Sequence, residues 1–595
     1  MSYSYEWVNR KNMKQEVKNC QNCKKDFIIE PDDFGFYEKI KVPLPTFCPE
    51  CRSQRRLAWK NNTSLYNRTC DLCKKSVVTI YSKESGITVY CNKCWWSDKW
   101  NPKSYATDYD FSRPFFEQLH ELSLKVPHMA LINDDGIASV NCEYTQDFAF
   151  GKNCYMVFIA WHIENVMYSY FMLAGKDMMD CSHIRSKNEW LYECVRSKNS
   201  YQLKYSQLCL ACIDSQFLYD CRDCSSCFMC SGLRGKKYHF KNKEYSKQEY
   251  EKILQKYNLD TFFGVEKAQK EYNDFILKCP RRYADNFRNS GNVAGDAISD
   301  SKNIKYCFVT KRSENCRYID LAEGVKDSYD LAGGGELSEC YEDITCDQSN
   351  RNLFGIYSWK NQDVQYTEHC HSSKSLFGCA GLRNAKYCIF NKQYTKESFD
   401  KLRTKIIEQM NEIPYVEKLG NKYKYGEFYP MELSPFGYNE SMAQEHFPLI
   451  KEEALKKGCN WQDNIQRTIG KETLKPEDIS DSINEVEDSI LEEVLSCIDC
   501  KRNYKIASNE FIFYKKMKVP IPRRCFYCRH ATRFKRCNPF KFWHRKCMCG
   551  STGSPQATTE HFHGTGKCEV EFETSYAPER PEIVYCEKCY QAEVY

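Results

Sequence analysis

A chain of 595 residues is long enough for several domains, each with a core of ordinary size, so it needs no covalent staples to fold. Its 86 Lys and Arg against 80 Asp and Glu leave a net charge of only +6, which by itself argues for no nucleic-acid partner, while 42 Tyr, 34 Phe and 10 Trp exclude low-complexity disorder over most of the length. No apolar run of about 18 residues predicts a membrane span, and the polar start MSYSYEWVNRKNMKQEV lacks the apolar region of a secretory signal, so a reducing, cytoplasmic setting is expected. In that setting the 37 cysteines are expected to act as thiols and metal ligands and not as disulfides.

In chain order, residues 1–60 read as a first zinc ribbon. Cys20, Cys23, Cys48 and Cys51 form C-x2-C-x24-C-x2-C. Residues 61–110 read as a second, with Cys70, Cys73, Cys91 and Cys94. Two cysteines three apart turn their sulfurs onto one ion, and two such knuckles complete a tetrahedron with Zn–S near 2.3 Å. A filled shell of four cysteines leaves no open position, so these sites are expected to be structural. A linker over 111–137 holds a short amphipathic helix from Pro114 to Val126, expected to join the ribbons to a first repetitive block.

That block covers 138–245. Turn residues recur every twelve positions at Asn141, Asn153, Asn165 and Asp177, and several open an Asn/Asp-x-x-Tyr triplet, as in Asn141–Tyr144 and Asn165–Tyr168. The rhythm weakens over 184–208. A helical connector follows over 246–299, and a second block over 300–394 carries the same period at Asn303, Asn315 and Asp327, with Asp363 and Ser375 in phase. A turn residue followed by a short aromatic or β-branched run reads as a short strand. Two units of twelve would make a coil of about 24 residues. The fold class read from this is multidomain and mainly β, with paired terminal zinc ribbons flanking a two-block parallel β-solenoid and intervening helices. Stacked coils are expected to set Asn on Asn and Tyr on Tyr.

Each block ends on a duplicated segment, CSGLRGKKYHFKNKEYSK at 230–247 and CAGLRNAKYCIFNKQYTK at 379–396, each running into a helix with Ser246 or Thr395 as N-cap. Cys221, Cys224, Cys227 and Cys230 form C-x2-C-x2-C-x2-C. The final spacing and the missing proline depart from a ferredoxin run, so interior packing is the expected role, with metal binding left open. His369 and His371 are a further pair left open. A helical and acidic linker fills 395–494, and its last part, KPEDISDSINEVEDSILEEVL, is expected to form an amphipathic helix.

The third ribbon, 495–535, repeats the first: Cys497, Cys500, Cys525 and Cys528 have the same internal spacing. The fourth, 536–595, is assigned Cys547, Cys549, Cys586 and Cys589. Its first knuckle is C-x-C, one residue short, so Cys568, His561 or His563 remain alternatives to Cys549. Eighteen residues separate Cys51 from Cys70 and Cys528 from Cys547, so the pairs duplicate in register. The segments CQNCKKDFIIEPDDFGFYEKIKVPLPTFCPECRSQR and CIDCKRNYKIASNEFIFYKKMKVPIPRRCFYCRHATR, within about 18–54 and 495–531, resemble the bacterial "probable zinc-ribbon" family. The shared marks are Phe27, Phe36-Tyr37 and Arg52, then Tyr504, Phe513-Tyr514 and Arg529. The whole chain is also similar to large Cys-rich proteins from candidate-phylum bacteria. The resemblance implies zinc at the matched cysteines and no activity; the four cysteine sets together set the expectation of about four zinc ions per chain.

The strongest functional clue is the stretch from Arg523 to Lys546, with nine Arg or Lys and no acid. Cations neutralise phosphates and interleaved rings stack on bases. Arg523, Arg524, Arg529, Arg533, Lys535, Arg536 and Arg545 are the candidate contacts of a non-enzymatic factor binding RNA, DNA or the ribosome. The alternative is a protein-interaction scaffold built on the solenoid, with the ribbons as folding clips. No P-loop, GxGxxG, HExxH or GxSxG motif appears, no small-molecule substrate is identified, and the reading leans away from an enzyme.

Overall fold

The computed structural model describes residues 14–133, 139–164, 166–167, 170–173, 179, 181–185, 192, 195–550, 562–564 and 566–594. Asn165, Tyr168, Asp177 and His561 lie outside the described residues. The chain divides into two compact units, residues 1–135 with 286–465, and residues 136–285 with 466–595. The N-terminal ribbons therefore share a unit with the second solenoid block, and the C-terminal ribbons with the first. Sequence order suggests the opposite partnering across the linker helix Phe115–Lys125.

Residues 140–389 carry a parallel β-solenoid of about 19 turns, interrupted by the connector helices Lys247–Gln255 and Phe262–Ile276. One unit of twelve closes a coil, so the expected coil of about 24 is halved. Tyr201 pairs with Ile213, Gln362 with Lys374, and Lys374 with Lys386, each twelve residues on. The tight closure has a backbone cause. Every third residue takes a left-handed φ, for example Asn303 at 53°, Tyr306 at 55°, Val309 at 51° and Arg312 at 49°, giving four corners per coil. Left-handed backbone costs about 1–2 kcal/mol per non-glycine residue. Inter-coil hydrogen bonds offset it, since a corner N–H reaches the carbonyl thirteen residues back, as from Arg312 to Ser299 (3.1 Å) and Gly324 to Lys311 (3.0 Å). The weak rhythm over 184–208 includes one inserted residue, because Met179 pairs with Tyr192 thirteen positions on.

The residue after each corner points inward. Ile304, Cys307, Thr310, Ser313, Cys316, Ile319, Ala322 and Val325 are all buried. So narrow a bore favours small side chains that satisfy themselves locally. Ser313 Oγ accepts from Val325 N–H at 3.1 Å, and Cys316 donates its S–H to the Glu314 carbonyl at 3.1 Å. This explains why cysteine and serine recur through the repeats. Outside, the Asn ladder forms as expected. Asn303 donates to Asn315 at 3.2 Å, Asn315 donates to Asp327 at 3.0 Å, and the Tyr306 and Tyr318 rings stack at 5.5 Å.

The duplicated segments are the C-terminal caps of the two blocks. Asn242 bonds both the N–H and the carbonyl of Ser231 (2.9 and 2.8 Å), and Asn391 does the same to Ala380 (2.9 and 2.8 Å). A short hairpin then leads into a helix capped by Ser246 or Thr395. Such a cap blunts the open sheet edge. The second block starts about ten residues earlier than the sequence suggests, with the strand Ser290–Ser299. The acidic run of 475–495 is not one helix. It makes three single turns, Pro476–Asp478, Ile483–Glu485 and Asp488–Leu491, which still bury Ile479, Ile483, Val486 and Ile490. Like charges three and four apart disfavour a continuous helix there.

Candidate metal centres

Each of the first three centres begins with a hairpin whose turn is a cysteine knuckle. The strands are Glu16–Asn19 with Asp26–Ile29, Tyr66–Thr69 with Ser76–Thr79, and Leu495–Ser496 with Asn503–Tyr504. After the second cysteine the chain turns through a left-handed lysine: Lys24 (60°), Lys74 (61°) and Lys501 (60°). Their N–H groups donate back to the carbonyls of Cys20, Cys70 and Cys497 at 3.0, 2.9 and 3.0 Å. The second knuckle sits at a helix start. Cys48, Cys91 and Cys525 are the N-cap residues of Pro49–Leu57, Asn92–Trp95 and Phe526–Arg536, and Cys51, Cys94 and Cys528 lie in the first turn. Amide N–H groups at a helix start favour thiolate over thiol.

Four sets of thiols converge: Cys20, Cys23, Cys48 and Cys51; Cys70, Cys73, Cys91 and Cys94; Cys497, Cys500, Cys525 and Cys528; Cys547, Cys568, Cys586 and Cys589. Within each set all sulfurs lie within 4.8 Å of one another, and each set could hold a metal ion. The edge of a tetrahedron of four sulfurs with 2.3 Å metal bonds is about 3.8 Å. Cys23–Cys48, Cys73–Cys91, Cys500–Cys525 and Cys568–Cys586 sit at 3.7, 3.9, 3.6 and 3.9 Å, which fits that edge and is far from a disulfide. A further N–H···S bond recurs in all four. The N–H groups of Cys48, Cys91, Cys525 and Cys586 donate to the sulfurs of Cys20, Cys70, Cys497 and Cys547 at 3.2, 3.3, 3.3 and 3.2 Å. The neighbouring Cys48 thiol, with a smaller contribution from this N–H, holds the Cys20 thiol well below its usual range, and the Cys525 thiol likewise lowers Cys497 to about 4.

The fourth centre corrects the C-x-C assignment. Cys568 joins Cys547, Cys586 and Cys589, and Cys549 lies outside that set. One intervening residue is too few for the knuckle, and Gly550 (φ 79°) follows Cys549 where the other ribbons place a left-handed lysine after a longer turn. The hairpin is Trp543–Lys546 with Glu571–Thr574, so Cys547 and Cys568 lie at its loop end.

The basic residues fall into two groups. Arg523, Arg529 and Arg533 are buried, at 6%, 5% and 1% exposure. Arg523 donates to the Ile479 carbonyl at 3.0 Å, and Arg529 donates to the Tyr514 hydroxyl at 2.8 Å and reaches Glu510 at 3.5 Å. Arg545 is half-buried and reaches the Ala577 carbonyl at 3.3 Å. Arg524 pairs with Glu266 and Asp499, both at 3.0 Å. Lys535 is exposed. Arg523, Arg524, Arg529 and Arg536 line one cavity of about 240 Å3 together with Tyr192, Tyr205 and Phe262.

The N-terminal ribbon repeats the theme with partners that sequence reasoning missed. Arg52, Arg55 and Arg56 of the helix Pro49–Leu57 are buried, and they meet Asp330, Glu342 and Glu427 at 2.6–3.4 Å. Asp330 and Glu342 are corner residues of the solenoid, and no local pattern marks a corner that receives a cation. Nearby, Phe36 stacks on Tyr329 at 3.8 Å, just as Tyr514 of the third ribbon packs edge-on to Tyr192 at 5.9 Å.

Cys221, Cys224, Cys227 and Cys230 occupy the four inward positions of a single coil, and each donates to the carbonyl two residues back at 3.3–3.6 Å. They form no candidate metal group among the described residues. His369 and His371 are buried in different company. His369 meets the Tyr81 hydroxyl at 3.1 Å, whereas His371 lies against Trp359 at 3.7 Å.

No protein-family model matches the chain, and no curated protein matches it. Among solved structures, a chain from Desulfovibrio desulfuricans G20 named as a proposed acetyltransferase is similar at 8% identity, with a TM-score of 0.09. The similarity covers 41% of this chain and 62% of that chain, so it spans under two thirds of that protein, and at this TM-score it carries no argument. Among the described residues, no helix is long and apolar enough to cross a membrane.

Proposed function

We propose that the protein is a non-enzymatic interaction scaffold in which zinc-filled ribbons fasten onto a β-solenoid. The observation that carries this reading is the fate of the ribbon arginines. Arg52, Arg55 and Arg56 are spent on Asp330, Glu342 and Glu427 of their own unit and are closed to solvent. Cations so placed position the ribbon and do not reach a phosphate backbone. Zinc suits the four-cysteine sets as a d10 ion with no geometric demand beyond the tetrahedron, and a closed shell gives a folding role. The solenoid then supplies a long regular face for protein partners. The test is affinity capture from lysate after nuclease treatment, with and without prior chelation. Specific partners retained through nuclease and lost on chelation support the scaffold. Partners lost to nuclease overturn it.

One observation favours a second reading, nucleic-acid binding. Four of the seven candidate cations share the cavity of about 240 Å3 with three aromatic rings. Phosphate and base find complementary groups in such a lining. Salt-dependent retention of RNA or single-stranded DNA, weakened by R524A and R536A, supports it, and no retention at low salt removes it.

A further inference from the structure

The fourth ribbon differs from the others in having a surplus of ligands. Beside Cys547, Cys568, Cys586 and Cys589, a second group of donors converges: Cys549, His563 and Cys589, again all within 4.8 Å of one another. The two groups share a single vertex, Cys589, which is fully buried. Cys549 is itself buried at 6% exposure and His563 is half-buried. Among the described residues, none of the other three tetra-cysteine sets has such an overlapping partner group.

We propose that this ribbon holds two divalent cations bridged by the Cys589 thiolate. The first ion is the structural one, in the four-cysteine shell. The second is bound by Cys549, His563 and Cys589, with its fourth position left to water or to an incoming thiol or other soft ligand. The inference rests on the reading of the four-cysteine sets as zinc centres and adds an ion to it.

The chemistry supports the pairing. A thiolate sulfur keeps lone pairs after binding one ion and can donate to a second. A single zinc in four thiolates carries two uncompensated negative charges, and a fifth thiolate buried beside it would add a third. A second zinc, bound through that fifth thiolate and a neutral imidazole, leaves only one. The short spacing of Cys547 and Cys549 then has a purpose. In the other ribbons C-x2-C points both sulfurs at one ion, whereas here C-x-C sends neighbouring sulfurs to two. Two cysteines and a histidine with one open position is the ligand count of an exchangeable or reactive zinc, unlike the closed shells elsewhere in the chain.

Native mass spectrometry of the full chain purified with zinc tests this. Five zinc ions per chain are expected, with one released to a chromogenic chelator ahead of the other four. Cys549→Ser and, separately, His563→Gln are each expected to lower the count to four, abolish the fast phase and leave the thermal transition in place. His563→Gln keeps the test open should Cys549→Ser misfold. Four zinc in the wild-type chain, unchanged in both variants, overturns the second site while the ribbon reading stands. Fewer than four in the wild-type chain overturns the ribbon reading and this inference with it.

Discussion

Arg56 Nη1 lies 3.0 Å from Asp330 Oδ1, and both side chains are wholly withdrawn from water. The pair joins a ribbon helix to a solenoid corner inside one compact unit. Removing one partner strands a buried charge, which costs about 3–5 kcal/mol. D330A should therefore lower the denaturant midpoint sharply. The double variant R56M/D330L should recover only part of that loss, because it removes the stranded Arg56 charge but still leaves buried Arg52 without Asp330, its partner at 2.9 Å. Urea titration of the two variants checks the difference.

The caps offer a second prediction. Asn391 closes the last coil of its block with bonds to both backbone groups of Ala380 and to the Pro102 carbonyl at 3.0 Å. Asn391→Ala leaves a buried N–H and carbonyls unsatisfied, at about 1–3 kcal/mol each. Faster hydrogen exchange should appear first in the strands Lys374–Ala380 and Lys386–Ile389. Uniform exchange across the block would argue that the cap is dispensable.

The coil of four cysteines tests interior packing against metal binding. Serine fills equivalent inward positions in earlier coils, Ser215 one coil before Cys227 and Ser206 two coils before Cys230, accepting from Cys227 and Leu218 N–H at 3.0 Å each. Cys227→Ser should thus cost about 1 kcal/mol and leave the metal content unchanged. Cys227→Phe should cost more, since a narrow bore overpacks. A metal count that falls in Cys227→Ser would reassign the coil as a ligand set.

Glu368 gives a pH dependence. Burial pushes its carboxyl up to about 7, against an ordinary value of 4.5, while Ser123 Oγ donates to it at 2.5 Å. Between those values the folded chain keeps a proton that the unfolded chain releases. The contribution is full below about pH 4.5 and is lost as pH rises through 7. Glu368→Gln keeps the shape and removes the titration. The variant should gain stability relative to the wild type at pH 8 and lose that advantage at pH 5. Thermal melts at the two pH values read the crossover.

Removing bound metal should act on the ribbons first. The thiolates of each set hold one another at 3.6–3.9 Å, and without an ion their charges repel. Chelation should expose residues 14–100 and 495–590 to protease while the far-ultraviolet β signal of the solenoid largely persists. Complete loss of that signal would mean that the solenoid cannot stand without its ribbons.

Much of the metal chemistry was legible in the chain, because a knuckle is a local object. Cys20 and Cys23 are set by a turn of a few residues, and the duplicated spacing repeats that turn. Cys568 stands in the sequence only as one of three alternatives, because it enters its set across a hairpin and carries no local pattern. The twelve-residue rhythm marked the solenoid. Its coil length was misjudged because left-handed corners at residues such as Val309 and Leu321 run against ordinary propensity and leave no trace in composition. The arginine stretch misled for a related reason. Charge is visible in sequence, but Arg533 and Arg56 are buried, and burial is decided by what packs over them.

The sequence alone determined the ribbons, the repeat and its caps, since each depends on residues a turn or a coil apart. Only the tertiary structure decided which ribbons share a unit with which block. That choice rests on Asp330 and Glu342 meeting arginines some 270–290 residues earlier in the chain, and on aromatic stacking over similar separations. Complementary charge and shape at that range are properties of surfaces, and surfaces exist only once the coils have stacked.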